Sequence, residues 1–222
     1  MNVALHPEEI VGTHYTRAGM LEARRRTFLA IDRIASQIRP GMKESEGRAV
    51  ARDTLKDMCL VPGWHGVYVR FGENTLCTYN EKNAPDVTLQ ENDIFYIDIG
   101  PVHDKWEGDG GDTFVLGNDP DMHAAARDVR KVFDLVRAKW LQERLTGRAL
   151  YDYADEAART LGWQLYTEIS GHRLADFPHK ALHSGVLADV EFTPAPDLWV
   201  LEIQMRHPSR PFGAFFEDLL LE

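Results

Sequence analysis

Four apolar runs in this chain of 222 residues end on a carboxylate or lead away from one. Ile94-Phe95-Tyr96-Ile97 is closed by Asp98, Leu198-Trp199-Val200-Leu201 by Glu202, and Phe215-Phe216 by Glu217. Asp109 follows Asp98 by eleven residues and leads into Thr113-Phe114-Val115-Leu116. A strand alternates its faces, so a carboxylate can point into a cleft while its apolar neighbours enter the core. An isolated ionised carboxylate is costly to bury, so its place at the end of an apolar strand needs a compensating charge. His172, directly after Gly171, adds an imidazole. Four carboxylates and one imidazole are about what two divalent cations need when some ligands bridge. Asp112 rivals Asp109, because Gly108-Asp109-Gly110-Gly111-Asp112 offers both. Ion pairs from Glu202 and Glu217 to Arg206 or Arg210 are the plainer alternative.

Composition narrows the partners. The formal charge is −10, from 25 basic and 35 acidic residues. No basic patch is visible, which argues against nucleic acid. Two cysteines, Cys59 and Cys77, make no disulfide framework and suit a reducing cytosol. The N-terminus lacks a basic-then-apolar leader, and no apolar run approaches the ~18 residues of a membrane span. A cytoplasmic protein with no membrane partner is expected. A hydrophobic content of 44% supports an ample core.

Leu21, Phe28, Ile31, Ala35 and Ile38 recur at helical spacing and predict a helix over about 17–38, stopped by Arg39-Pro40-Gly41. A second helix is expected over 43–59, a strand over 66–71 and a loop over 73–90. Strands follow at about 93–99 and 111–116. Asp119 then caps a helix whose first turn carries Pro120, and Thr146-Gly147 breaks it. A further helix over 148–161 ends at Gly162. Strands are expected over about 164–170, 187–193, 197–205 and 213–221. The order helix, glycine break, helix, strands thus occurs twice, and each pass ends in two carboxylate-bearing strands. Two similar halves facing one site are expected, within a single domain over 1–222 whose residues 1–15 form an arm.

Taken together, these residues resemble the catalytic domain of the pita-bread metallopeptidases, which include methionine aminopeptidases, Xaa-Pro aminopeptidases, prolidases and creatinases. The likeness covers about residues 17–221. Ile97-Asp98-Ile99-Gly100 with Asp109 eleven residues on is similar to the family's two aspartates, and Phe114, five after Asp109, favours Asp109 over Asp112. Gly171-His172 with His179 seven residues later resembles its metal-binding and substrate-side histidines. Glu202 and Glu217 match its two glutamates. Their short interval and Phe212-Gly213-Ala214-Phe215-Phe216-Glu217-Asp218 favour the prolidase and Xaa-Pro aminopeptidase branch. Several positions depart from the pattern. Leu76-Cys77-Thr78-Tyr79-Asn80 holds no histidine where the family carries one, and Tyr79 stands about there. Phe215 replaces an arginine, Arg173 a small residue and Ile203 a proline.

The resemblance implies an α+β pita-bread fold: two pseudo-symmetric halves, an antiparallel sheet covered by helices. It implies a hydrolase in which Asp98, Asp109, His172, Glu202 and Glu217 hold two divalent ions (manganese, cobalt, iron or zinc) that lower the pKa of a water. Glu202 would shuttle the proton, and His179 and Tyr79 would face a small peptide or amide substrate. A homodimer is expected of such a chain. A Xaa-Pro aminopeptidase or dipeptidase is the first reading. A creatinase-like hydrolase of a non-peptide C–N bond and a non-catalytic binding module are the alternatives.

Overall fold

The computed structural model describes residues 6–79, 81, 84–175 and 185–222. Helix α1 spans Arg17–Ala35 and α2 spans Glu44–Asp57. Thr16 caps α1 by accepting the Gly19 N–H at 3.1 Å. Strands β1 (Val61–Phe71), β2 (Asp93–His103), β3 (Trp106–Glu107) and β4 (Gly110–Leu116) complete the first half. Helix α3 (Pro120–Glu143) begins as the sequence predicts, with Asp119 accepting the Asp121 and Met122 N–H groups and Pro120 at the first turn. It ends where Arg144 turns left-handed. Thr146 caps α4 (Gly147–Thr160), and β5 (Gln164–Tyr166), β6 (His172–Arg173), β7 (Trp199–Arg206) and β8 (Gly213–Leu219) follow.

The strands form an antiparallel sheet in the order β1-β2-β4-β8-β7-β5, with β3 beside β2 and β6 beside β7. The first half therefore supplies one side and the second half the other, and they meet where β4 lies against β8. The paired residues across that seam are Gly111 and Glu217. Beside this pair, the Thr113 hydroxyl donates to the Phe215 carbonyl at 2.7 Å and accepts from its N–H at 2.8 Å.

Both halves bury one face of the sheet under helices. Ile97, Ile99 and Val69 pack with Ile31, Ile34 and Leu55 beneath α1 and α2. Leu201, Ile203, Ala214 and Phe216 pack with Val129, Val132, Trp140 and Ala154 beneath α3 and α4. Period-two alternation then turns Asp98, Glu202 and Glu217 to the opposite face. Asp112 and Asp218 stay on the helix face. Asp112 pairs with Arg130 of α3, and Asp218 pairs with Arg24 of α1. Each pair ties a helix of one half to a strand of the other.

Several elements differ from expectation: β2 runs on to His103, and a short 3-10 turn, Gly72–Leu76, occupies the start of the expected loop. Strand β1 starts at Val61 rather than 66, because an irregularity between Pro62 and Val67 lets it resume pairing with Pro101 and Val102. The expected strand over 187–193 is instead a short 3-10 turn, Leu187–Asp189, followed by irregular chain. Its carbonyls serve the start of α4: Val190 accepts the Arg148 N–H and Phe192 accepts the Gly147 N–H. A segment that satisfies a helix terminus in this way is not free to join a ladder. The strand expected over 164–170 stops at Tyr166.

Candidate metal centre

The sheet register builds the site. Tyr68 of β1 lies opposite Asp98 of β2, Asp98 opposite Gly111 of β4, Gly111 opposite Glu217 of β8, and Glu217 opposite Glu202 of β7. Directly opposed residues share a face, so one transverse row carries Asp98, Glu217 and Glu202 into the cleft. Asp109 stands two residues before Gly111, and His172 of β6 lies opposite Val200, two before Glu202. Gly111 keeps the row open: a Cβ there would lie 3.1 Å from Glu217 Oε1 and 2.4 Å from the Phe215 ring. Gly171 has φ +68°, and a Cβ there would lie 2.3 Å from the Val200 carbonyl. Only glycine fits that approach, which delivers His172 to the cleft.

The five residues singled out in the sequence meet here. Asp109 and Glu217 are completely buried, and Glu202 is 9% exposed. His172 Nε2 lies 2.8 Å from Asp109 Oδ2. Gly171 N–H donates to Glu202 Oε2 at 2.7 Å, and the Tyr151 hydroxyl holds the Glu202 backbone at both its carbonyl and its N–H. Yet Asp98 Oδ1, both Asp109 oxygens, His172 Nε2 and both Glu217 oxygens are buried without any hydrogen-bond partner. Buried polar atoms are normally satisfied, so this concentration of orphans in one cleft is a demand for a ligand. Oxygen-rich donors with imidazole nitrogen suit a divalent cation of the manganese, cobalt, iron or zinc type.

Neither arginine of the plainer alternative reaches these glutamates. Arg206 donates to the Leu76 carbonyl, and Arg210 pairs with Asp119 and Asp121. Asp112, the rival of Asp109, is on the other face. Among the described residues, no arginine or lysine forms an ion pair with Asp98, Asp109, Glu202 or Glu217, so the cleft gathers negative charge. Burial pushes the Asp98 carboxyl up to about 7, with His65 opposing the shift and Asp109 adding to it. Burial likewise lifts Glu217 well above the carboxylate range, and Asp109, Asp98 and Glu202 push the same way. Burial alone would lower the His172 imidazole, but contact with Asp109 reverses this and lifts it to about 9. Excess protons and divalent cations are the two ways to balance such a cleft.

His65, which no sequence pattern singled out, is also at the site. Its Nε2 lies 3.3 Å from Asp98 Oδ1. It comes from the irregular part of β1, and Gly100 makes room for it: a Cβ at 100 would lie 2.4 Å from His65 Cβ. A glycine two residues after Asp98 was the available signal, and it pointed to no particular partner. Ligand atoms within 4.8 Å of one another fall into two groups that share Asp109: His65, Asp98 and Asp109, and Asp109, His172 and Glu217.

A cavity of about 410 Å³ opens beside these groups, lined by Trp64, Tyr68, Tyr79, Ile169, Val186 and Glu202 among others. Tyr79 is thus on its wall, 52% exposed. His179 lies outside the described residues. Trp64 sets its ring edge-on to both imidazoles, 5.1 Å from His65 and 4.9 Å from His172.

A family profile described as metallopeptidase family M24 matches residues 18–221. The chain belongs to that family. By that membership it is a metallopeptidase-type hydrolase. Solved structures share the fold at low identity. Methionine aminopeptidase from Thermotoga maritima superimposes with a TM-score of 0.70 at 15% identity, over 96% of this chain and 99% of that one. X-Pro aminopeptidase from Thermotoga maritima MSB8 gives 0.72 at 18% identity, over 96% of this chain and 63% of its own length. Prolidase from Pyrococcus horikoshii OT3 gives 0.71 at 16%, over 95% and 60%. This M24 chain therefore spans under two thirds of the last two and nearly all of the first. No curated protein matches it in sequence. Among the described residues, no helix is long and apolar enough to cross a membrane.

Proposed function

We propose that this M24 chain is a dinuclear metallohydrolase that cleaves a small peptide or amide, of the Xaa-Pro aminopeptidase or dipeptidase type. The observation that carries the proposal is the cluster of buried carboxylate oxygens and imidazole nitrogen without hydrogen-bond partners, arranged as two groups sharing Asp109. In this reading Asp98, Asp109, His172, Glu202 and Glu217 hold the two ions, with manganese, cobalt, iron or zinc as candidates. When bound, the ions make a water acidic enough to give hydroxide near neutral pH and polarise the scissile carbonyl.

The chain's own residues do the rest. Glu202 takes the proton from the attacking water and passes it to the leaving nitrogen. Its Oε2 is oriented by the Gly171 N–H and its backbone by Tyr151, so the carboxylate need not reorganise during transfer. Aromatic and aliphatic walls from Trp64, Tyr68, Tyr79, Ile169 and Val186 offer apolar surface that suits a short apolar residue such as proline. A cavity of about 410 Å³ has room for a dipeptide-sized ligand. His179 is proposed to hydrogen-bond the substrate. A cytoplasmic homodimer remains the proposed setting.

Glu202→Ala is expected to lower turnover of a Xaa-Pro dipeptide by about 10²–10⁴-fold or more in protein loaded with manganese. Unchanged turnover would remove Glu202 from the chemistry. A parallel screen with methionyl peptides and guanidino compounds assigns the substrate class.

A further inference from the structure

We infer that His65 is a sixth metal ligand, the first half's counterpart of His172, so that each ion of the pair receives one imidazole. This rests on the dinuclear reading above. Strand β1 flanks β2 on its outer side just as β6 flanks β7, and each outer strand sends one histidine into the cleft.

The two rings are set up alike. His65 Nδ1 lies 2.7 Å from the carbonyl of the next residue, Gly66, and His172 Nδ1 lies 3.1 Å from the carbonyl of its next residue, Arg173. A carbonyl can only accept, so Nδ1 carries a hydrogen, and Nε2 is the nitrogen that gives up its proton to offer a lone pair to a cation in the cleft. Ligating histidines are fixed in this way by a hydrogen bond from the opposite ring nitrogen. On each ring Nε2 meets a carboxylate oxygen that lacks a hydrogen-bond partner: Asp98 Oδ1 for His65 and Asp109 Oδ2 for His172. Two donor atoms about 2.1 Å from one ion, at roughly 90–110° to each other, lie roughly 3.0–3.4 Å apart. The 3.3 Å between His65 Nε2 and Asp98 Oδ1 falls in that interval. Trp64, edge-on to both rings, holds the two imidazoles in place.

Cobalt(II) provides the test, read by proton NMR rather than by activity. Each imidazole bound to cobalt through Nε2 gives one strongly shifted, solvent-exchangeable Nδ1–H signal. Protein carrying two cobalt ions by elemental analysis is expected to show two such signals. His65→Asn is expected to lose one of them. It should also weaken one of the two binding steps by more than the about 10–100-fold that loss of an outer-shell partner costs. Two bound ions with a single shifted exchangeable signal in the parent protein would overturn the inference while leaving the dinuclear reading intact. Failure to bind cobalt at all would overturn both. Because the parent protein carries the count, the test stands even if the variant folds poorly.

Discussion

Strand β8 and the segment 109–116 that leads into and forms β4 each carry carboxylates to both sides of the sheet, and the two sides treat them in opposite ways. On the helix face, Asp112 has Arg130 and Asp218 has Arg24. On the cleft face, Asp109 and Glu217 are completely buried, and none of their four oxygens has a hydrogen-bond partner. Among the described residues, their one ion pair is from the His172 imidazole to Asp109. All four are carboxylates on or next to adjoining strands. What differs is the layer opposite: helices present long cationic side chains to Asp112 and Asp218, whereas among the described residues the groups set against Asp109 and Glu217 are other acids and the imidazole of His172. A buried charge that is paired belongs to the architecture. One that is left unpaired among like charges is held there for something that arrives later.

The contrast can be broken by neighbouring substitutions. Glu217→Gln is expected to abolish uptake of at least one cation, measured by elemental analysis, and with it most hydrolysis. In chelator the same variant should be more stable than the parent by about 1–3 kcal/mol in urea denaturation, because a carboxylate leaves a crowded like-charge cluster. A loss of stability in chelator would show that the cleft acids are structural after all. Arg24→Ala tests the other face. It leaves Asp218 buried without its guanidinium and should destabilise the chain by about 3 kcal/mol, with cation stoichiometry unchanged. Altered stoichiometry would mean that the two faces are not independent.

The smallest expected effect concerns pH. Burial lifts the Asp112 carboxyl to about 6 even though Arg130 opposes the shift. A folded-state value above the unfolded one means that the folded protein holds this proton more tightly. The associated stability is present at low pH and is lost as pH rises from about 4 through 6. Asp112→Asn lacks that loss. Its stability relative to the parent should therefore improve by about 1–3 kcal/mol between pH 4.5 and pH 8, compared by urea denaturation. A pH-independent difference would show that Arg130 fully compensates the buried charge.

The sequence disclosed the parts of the fold that depend on periodicity and punctuation. Asp119-Pro120 marks a helix start because capping chemistry is local, while Thr146-Gly147, read as a helix break, proves to be the cap and first residue of the next helix. The alternation around Asp98, Glu202 and Glu217 reports a face directly. The segment at 187–193 misled because its apolar character comes from covering α4 and its carbonyls from capping it, and neither demands a strand. His65 was hidden for a different reason. It reaches Asp98 through an irregular stretch of β1, where period-two reasoning does not apply, and no histidine spacing links it to His172. The shared row across four strands depends on register between distant segments, which composition and spacing do not encode.

Where β4 meets β8, the ladder thins to the Gly111–Glu217 pair and a threonine hydroxyl standing in for backbone hydrogen bonds. The cluster of donors straddles that weak join, with Asp98 and Asp109 on one bank and Glu202 and Glu217 on the other. An ion gripping both banks would rivet them. The cation-free chain should then melt in two stages, half by half, and the loaded chain in one.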